Sequence, residues 1–467
     1  MTVSPLTAPL DWTSDDPHLS GPFTPIGTEV DAADLRVVAG RIPEDLKGAY
    51  LRNGPNPRFQ PTSYTYPLEG DGMVHAVRFE GGRARYRNRF VRTASFEVED
   101  KAGHAVFGGL MNRRPADPAA LPKDGDHLKQ SAFISVLHHG EHLLALGEVE
   151  PAWELSPELD TLGPWTAGSG KPLDVGAHNR VHPVTGDLFG LAYDPASPVV
   201  HIHRIDRTGR LQASFDVTLA APSMIHDFVL TERRLVLLIG PAIFDMAAME
   251  RGEPLLQWRP EIGTRIAVID LDGGNLRWIE TEACFVFHFA NGFERGDEVV
   301  IDYVRHERLN IGFRGKRGEP PRLRRLVIAA DGKVTDAALL GAGVEFPRID
   351  DRRVARASCF VYVPTRTTTL TLPPGTPSCF NCLVAVDTET GASRQHDFGS
   401  RVIGEAVFVP RGPGEADGYL ATFVTDPAAG TSDLALLDAA HPDREPVAMI
   451  RMPQRVPQGL HGTWVPA

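Results

Sequence analysis

The chain has 467 residues, 42% apolar and 23% charged, with a formal net charge of -12. These proportions are ordinary for a folded protein and argue against intrinsic disorder, while the acidic balance, with no sustained basic block, makes nucleic acid a poor partner. The length exceeds what one ordinary core serves and points to a closed or repeated architecture that grows by adding modules.

The opening stretch, Met1 to Val30, is polar and holds no apolar core of the kind a secretory signal needs, which implies a cytoplasmic protein. Hairpin signals then recur along the chain. Met73–Phe79 and Arg83–Phe90 flank Glu80-Gly81-Gly82, and Val200–Ile205 and Leu211–Val217 flank Thr208-Gly209. Arg265–Ile269 and Asn275–Ile279 flank Asp272-Gly273-Gly274. Leu323–Ile328 and Val334–Ala338 flank Asp331-Gly332, and Leu383–Val386 runs into Thr388-Glu389-Thr390-Gly391. Each is a β-branched or aromatic run bounded by turn residues. The densest basic stretch, Arg314 to Arg325, reads as a loop entering a strand. The best helical window is short, Phe244–Arg251. The most apolar window, Leu235–Phe244, is about half the length of a membrane-spanning helix.

Four cysteines do not make a disulfide framework. Cys379 and Cys382 form a lone C-x-x-C with no second pair or matching histidines, so reduced thiols are the plain reading and a metal or redox role the alternative. Many short hairpins without βαβ alternation imply an all-β fold, and at this length radial repetition of four-stranded sheets, a β-propeller, fits better than one sandwich. Gly and Pro are spread evenly, and the whole of 1–467 reads as a single domain.

Four of the 17 histidines lie in apolar strand-like contexts: His178 in Val175-Gly-Ala-His178-Asn-Arg-Val181, His226 in Met224-Ile-His226-Asp-Phe228, His288 in Phe285-Val-Phe-His288-Phe289, and His461 in Gly459-Leu-His461-Gly-Thr-Trp464. They are roughly 50, 60 and 170 residues apart, as expected when each comes from a different module. One such histidine alone is more often a core residue bonded to a backbone carbonyl. No H-E-x-x-H pattern is present, so spacing by itself does not define a metal site.

The residues around them carry a resemblance. Gly48-Ala-Tyr-Leu-Arg-Asn-Gly-Pro-Asn-Pro57, Gly70-Asp-Gly-Met-Val-His-Ala-Val-Arg-Phe79 and Tyr86-Arg-Asn-Arg-Phe-Val-Arg-Thr93 look like N-terminal signatures of the carotenoid cleavage oxygenases. His178 followed by His182-Pro-Val-Thr-Gly186 is similar to that family's first metal-histidine motif. Met224-Ile-His-Asp-Phe228, Phe287-His-Phe-Ala-Asn291 and Leu460-His-Gly-Thr463 resemble the other three, in order. The resemblance spans nearly the whole chain. It implies a seven-bladed β-propeller with a cap of loops and short helices over an axial Fe(II). It also implies that His178, His226, His288 and His461 hold the iron. Glutamates behind the imidazoles fall by motif on Glu148 (Leu146-Gly-Glu148), Glu345 (Glu345-Phe-Pro-Arg-Ile-Asp350) and Glu405 (Gly404-Glu-Ala-Val-Phe-Val-Pro410), with solvated loop carboxylates as the alternative for each.

The implied activity is cleavage of a conjugated carbon–carbon double bond by O2 to give two carbonyl products. Imidazole suits several divalent metals, and affinity alone would favour copper or zinc, so the identity of the metal rests on the resemblance. No G-x-G-x-x-G or P-loop fingerprint suggests a nucleotide cofactor. The family's phenol-cleaving branch binds the phenolic hydroxyl with a Tyr and a Lys. Here the Lys position, directly before the first glutamate, is Gly147, and the Tyr position is Leu110 in Phe107-Gly-Gly-Leu-Met-Asn112. Without that pair a buried phenol lacks a charge partner, which favours a carotenoid or apocarotenoid over a hydroxystilbene. Where many members carry a small Thr near the open coordination site, Ser131-Ala-Phe-Ile134 places Phe133. Leu235–Met249 suits a peripheral membrane-docking patch, a tunnel wall or ordinary core equally. Two further readings stand beside the dioxygenase: a non-oxidative isomerase on the same iron, and a non-catalytic propeller scaffold.

Overall fold

The computed structural model describes residues 4–109, 115–123, 128–251, 253–309, 311 and 318–467. Seven antiparallel sheets stand around an axis as a seven-bladed β-propeller. Blade 1 is Ser135–His139, His142–Leu146, Trp153–Leu155 and Thr161–Pro164. Blade 2 is Arg180–Val181, Leu188–Tyr193, Val199–Ile205 and Leu211–Thr218. Blade 3 is Val229–Leu230, Arg234–Ile239, Thr264–Asp270 and Arg277–Thr281. Blade 4 is Phe289–Arg295, Glu298–Arg305, Arg322–Ile328 and Val334–Ala338. Blade 5 has Phe360–Thr365, Cys382–Asp387 and Ser393–Asp397, its inner edge completed by bridges from Val344 to Thr365 and Arg348 to Tyr362. Blade 6 comprises Val402–Ile403 and Val407–Pro410 against Gly418–Asp426, then Thr431–Asp438 and Ala448–Arg451.

Blade 7 closes the ring. Its innermost strand, Gly462–Pro466, comes from the C-terminal end of the chain and pairs with Gly48–Arg52, in register at Tyr50 and Trp464; Met73–Glu80 and Arg83–Phe90 follow outward. Val37–Gly40 adds a second N-terminal strand to the outer edge of blade 6. Closure is therefore made by main-chain pairing between distant parts of the chain.

Each successive pair of blades shares one apolar cluster, seven clusters for seven junctions. Val236 and Leu238 of blade 3, for example, meet Phe289, Ile301 and Tyr303 of blade 4. Middle strands are covered on both faces, so they read as unbroken apolar runs such as Leu188-Phe-Gly-Leu-Ala-Tyr193, buried throughout. Burying one such Leu or Phe contributes about 1.5–3 kcal/mol. Outer strands such as Leu211–Thr218 face water on most positions.

The sequence-predicted hairpins form close to their expected bounds. Glu80 pairs with Arg83 across Gly81-Gly82, and φ values of 55° and 72° at those glycines make the two-residue loop whose twist suits a hairpin. The third hairpin's outer strand starts later than expected, at Arg277, because Asn275 takes a left-handed φ of 50° in the turn. One helix expectation needs correction, and one helix was not anticipated. Phe244 ends a strand, Ala242–Phe244, paired with Leu256–Trp258, and the helix there is only Met246–Glu250. The longest helix among the described residues, Ala94–Ala102, escaped the reading because its apolar stripe is thin; caps define it instead, with Thr93 accepting from Phe96 N–H and Gly103 left-handed at the far end. No helix among the described residues is long and apolar enough to cross a membrane.

Candidate metal centre

The axial residues enter blade by blade. His178 and His226 lie just before the first strands of blades 2 and 3; His288 and His461 directly precede those of blades 4 and 7. The remaining blades each bring a carboxylate: Glu148 after the second strand of blade 1, Glu345 on the inner edge of blade 5, and Glu405 between the two inner segments of blade 6. Four strand entrances around one axis aim four imidazoles at one point, and their ligand atoms all lie within 4.8 Å of one another.

The outward nitrogens settle what that point requires. His226 Nδ1–H donates to Glu148 Oε2 at 2.5 Å, His461 Nδ1–H to Glu405 Oε1 at 3.0 Å, and His288 Nδ1–H to Glu345 Oε2. A neutral imidazole that donates through Nδ1 carries a lone pair on Nε2. Yet the Nε2 atoms of His288 and His461 stand 3.1 Å apart, and those of His178 and His226 3.0 Å apart. His288 and His461 both donate through Nδ1, so their Nε2 lone pairs repel at that distance, and a cation between them removes the conflict. Ligands at right angles on a metal–imidazole bond of about 2.1 Å are about 3.0 Å apart, which matches both separations. The donor set therefore fits a metal ion.

Electrostatics agree with neutral donors at His178 and His461. Burial, then the three neighbouring imidazoles, hold His178 well below the usual histidine range, and burial lowers His461. Burial opposes charge on His226 as well, but the Glu148 carboxylate overrides it and leaves that imidazole raised. Behind the glutamates stands a further layer that sequence reasoning missed. Tyr193 O–H donates to Glu148 Oε1, His306 Nε2–H to Glu345 Oε1 at 2.7 Å, and Arg348 lies 3.2 Å from Glu405 Oε2, which also accepts Gly462 N–H at 2.8 Å. Burial raises the Glu405 carboxyl, but Arg348 and His461 pull it down to about 2. Glu345 likewise is held well below its ordinary value against burial, by His288 and then His306. A signal for His306 did exist: the hairpin register pairing Phe289 with Tyr303 carries His306 back opposite Phe285, three residues from His288.

An apolar wall meets the centre. Phe346 places its ring 5.1 Å from that of His288 and 5.2 Å from that of His461, and Phe287 lies 5.4 Å from His226. Phe133, buried with Ile134, Ala177 and Leu460, packs with Phe346 and Tyr66 in one cluster. Phe244, Leu256 and Trp258 of the paired ribbon pack with Met224, Phe285 and Phe287. The apolar stretch from Leu235 thus divides: Leu235–Ile239 is blade core, and Ala242–Phe244 joins the wall beside the histidines.

The retinal pigment epithelial membrane protein family model matches residues 23–466, almost the entire chain. The chain belongs to the carotenoid cleavage oxygenase family. It is 30% identical over 500 residues to carotenoid 9,10(9',10')-cleavage dioxygenase 1 of Pisum sativum, covering 98% of this chain and 91% of that one. It is 31% identical over 480 residues to isoeugenol monooxygenase of Pseudomonas nitroreducens, covering 97% and 98%. Among solved structures, the lignostilbene dioxygenase of Pseudomonas brassicacearum superposes with a TM-score of 0.89 at 26% identity, over 98% of this chain and 100% of that one.

The other residues singled out by sequence fall variously. Leu110 lies outside the described residues. A Cβ on Gly147 would meet the Glu150 carboxylate at 1.6 Å, and that carboxylate accepts N–H groups of Ser131 at 2.6 Å and Ala132 at 2.8 Å. None of the four cysteines is in a disulfide; burial pushes the Cys382 thiol up to about 12, where it is inert. His201 and His203, which share one face of a strand by sequence and read as a surface strand rather than a metal grip, pair across their hairpin with Asp216 and Ser214, away from the axis.

Proposed function

We propose that this protein is a non-haem Fe(II) dioxygenase that splits a conjugated double bond of a carotenoid or apocarotenoid with O2, each alkene carbon leaving as a carbonyl that carries one oxygen atom. The observation that carries this is the convergence of four imidazole Nε2 atoms with carboxylates on three of the outward Nδ1 atoms. His178, His226, His288 and His461 hold the metal. Glu148, Glu345 and Glu405 fix three ligand tautomers, raise their basicity and place negative charge one layer out, which four neutral ligands need. Iron bound there supplies the one-electron reactivity that lets ground-state O2 react with an alkene. The four histidines would hold the ion while leaving it open to O2. Phe133, Phe346, Phe287 and Leu460 orient an apolar substrate beside that opening and exclude water. Because both oxygen atoms end in the products, no external reductant is required.

The preference for a polyene rests on Gly147. Glu150 occupies the space a side chain there would need, and its two N–H partners hold it in place. The chain thus lacks the lysine expected of hydroxystilbene-cleaving relatives, and a side chain at that position would first have to displace the Glu150 carboxylate. A second reading, cleavage of a hydroxystilbene or related phenylpropanoid, is supported by the similarity to a lignostilbene dioxygenase and an isoeugenol monooxygenase. Anaerobic loading with Fe(II), followed by a β-apocarotenal and O2, separates the two. Loss of the polyene absorbance with two shorter carbonyl products is the expected result. Cleavage of a parallel 4-hydroxystilbene sample alone would reject the polyene preference, and cleavage of neither would reject the dioxygenase.

A further inference from the structure

The three carboxylates behind the ligands are completed by different outer donors: neutral Tyr193 on Glu148, permanently cationic Arg348 on Glu405, and His306 on Glu345. His306 is placed with care. Its backbone N–H and C=O both bond to Phe285 at 2.9 Å, and its ring meets Phe287 edge-on with centroids 5.1 Å apart. Phe287 in turn packs against His226 and directly precedes His288, and Phe285 lies three residues before His288, so the segment that carries one ligand holds His306. Glu345 carries two imidazoles on opposite oxygens, His288 Nδ1 on Oε2 and His306 Nε2 on Oε1 at 2.7 Å, with Phe346 N–H at 2.5 Å on the same oxygen as His288. A carboxylate gripped at both oxygens has one orientation, whereas one held at a single oxygen can swing about its side chain.

We propose that His306 is a positioning residue of the metal centre: by holding the far oxygen of Glu345 it fixes the plane and hydrogen bond of His288, and so the direction of that ligand's lone pair. The proposal rests on the reading of the four histidines as metal ligands. It predicts that the donor on Oε1, rather than the aromatic bulk at position 306, is what the centre needs.

The test compares His306→Phe, which keeps a ring against Phe287 but removes the donor, with His306→Gln, which keeps an N–H donor. Co(II) is titrated into metal-free protein against a chromophoric chelator, and the Co(II) d–d spectrum and the metal-free melting temperature are recorded. The wild type is expected to bind one Co(II) per chain at the axis. His306→Phe should bind about tenfold more weakly, with a shifted d–d spectrum, the lower end of what loss of an outer partner costs. His306→Gln should recover affinity to within about threefold of wild type. If His306→Phe does not fold, His306→Leu repeats the donor-free measurement. Wild-type affinity and spectrum in the donor-free variant would overturn the proposal. So would equal losses in both variants accompanied by lowered metal-free melting temperatures, which would mark a purely structural role. Failure of the wild type to bind Co(II) would instead overturn the metal-centre reading beneath it.

Discussion

Replacing Glu345 with glutamine changes two heavy atoms' chemistry and almost no volume. Three N–H groups point at this carboxylate: His288 Nδ1, His306 Nε2 at 2.7 Å and Phe346 N at 2.5 Å. An amide offers one acceptor oxygen, so whichever way it turns, its NH2 group faces at least one N–H. The loss is one charge-assisted hydrogen bond, about 1.5–3 kcal/mol, together with the negative charge one layer from the metal. Expressed at the metal, this corresponds to about a 10- to 100-fold loss of affinity. The blades are held by the inter-blade clusters, none of which includes Glu345, so the variant should remain folded. Iron content per chain after purification, anaerobic Fe(II) competition against a chelator, and turnover are the readouts. Unchanged iron content and unchanged turnover would refute the assignment of Glu345 to the centre.

Two other predictions test electrostatics and the frame. Burial, with a further push from Glu148, raises the Asp174 carboxyl from 3.8 to about 7 in the metal-free protein. A carboxyl raised on folding binds more protons in the folded state, so it makes stability fall as pH rises from about 4 to 7 and level off above. Asp174→Asn, which keeps an acceptor for Gly176 N–H, should therefore gain about 1–2 kcal/mol at pH 8 and almost nothing at pH 4, read from metal-free melting curves; an equal gap at both pH values would contradict this. Asp227 is 3% exposed and ties three blades, accepting from Arg180 at 2.7 Å, Phe289 N at 2.9 Å and Phe228 N at 2.7 Å. Asp227→Ala removes the ionic partner of the half-buried Arg180 guanidinium and the acceptor of two buried N–H groups, and should cost about 3–5 kcal/mol in denaturant unfolding, with a loss below about 1 kcal/mol counting against the tie.

Sequence alone reached far here because local rules and tertiary structure agree. Turn glycines such as Gly81-Gly82 and apolar middle strands such as Leu188–Tyr193 announce their own elements, since period and φ are local properties. The four histidines were legible because each sits at a strand entrance inside a distinctive apolar motif, although no spacing among them reveals that they meet. Convergence is a property of the closed ring, which the pairing of Gly48–Arg52 with Gly462–Pro466 completes. Tertiary structure alone decided the rest. It placed Tyr193 and His306, which carry no local motif, behind Glu148 and Glu345, and turned Arg348 of the Glu345 motif toward Glu405, because contacts between blades join residues far apart in the chain. It also showed that Glu150 fills the space in front of Gly147, a packing relation between side chains that a string of letters does not contain.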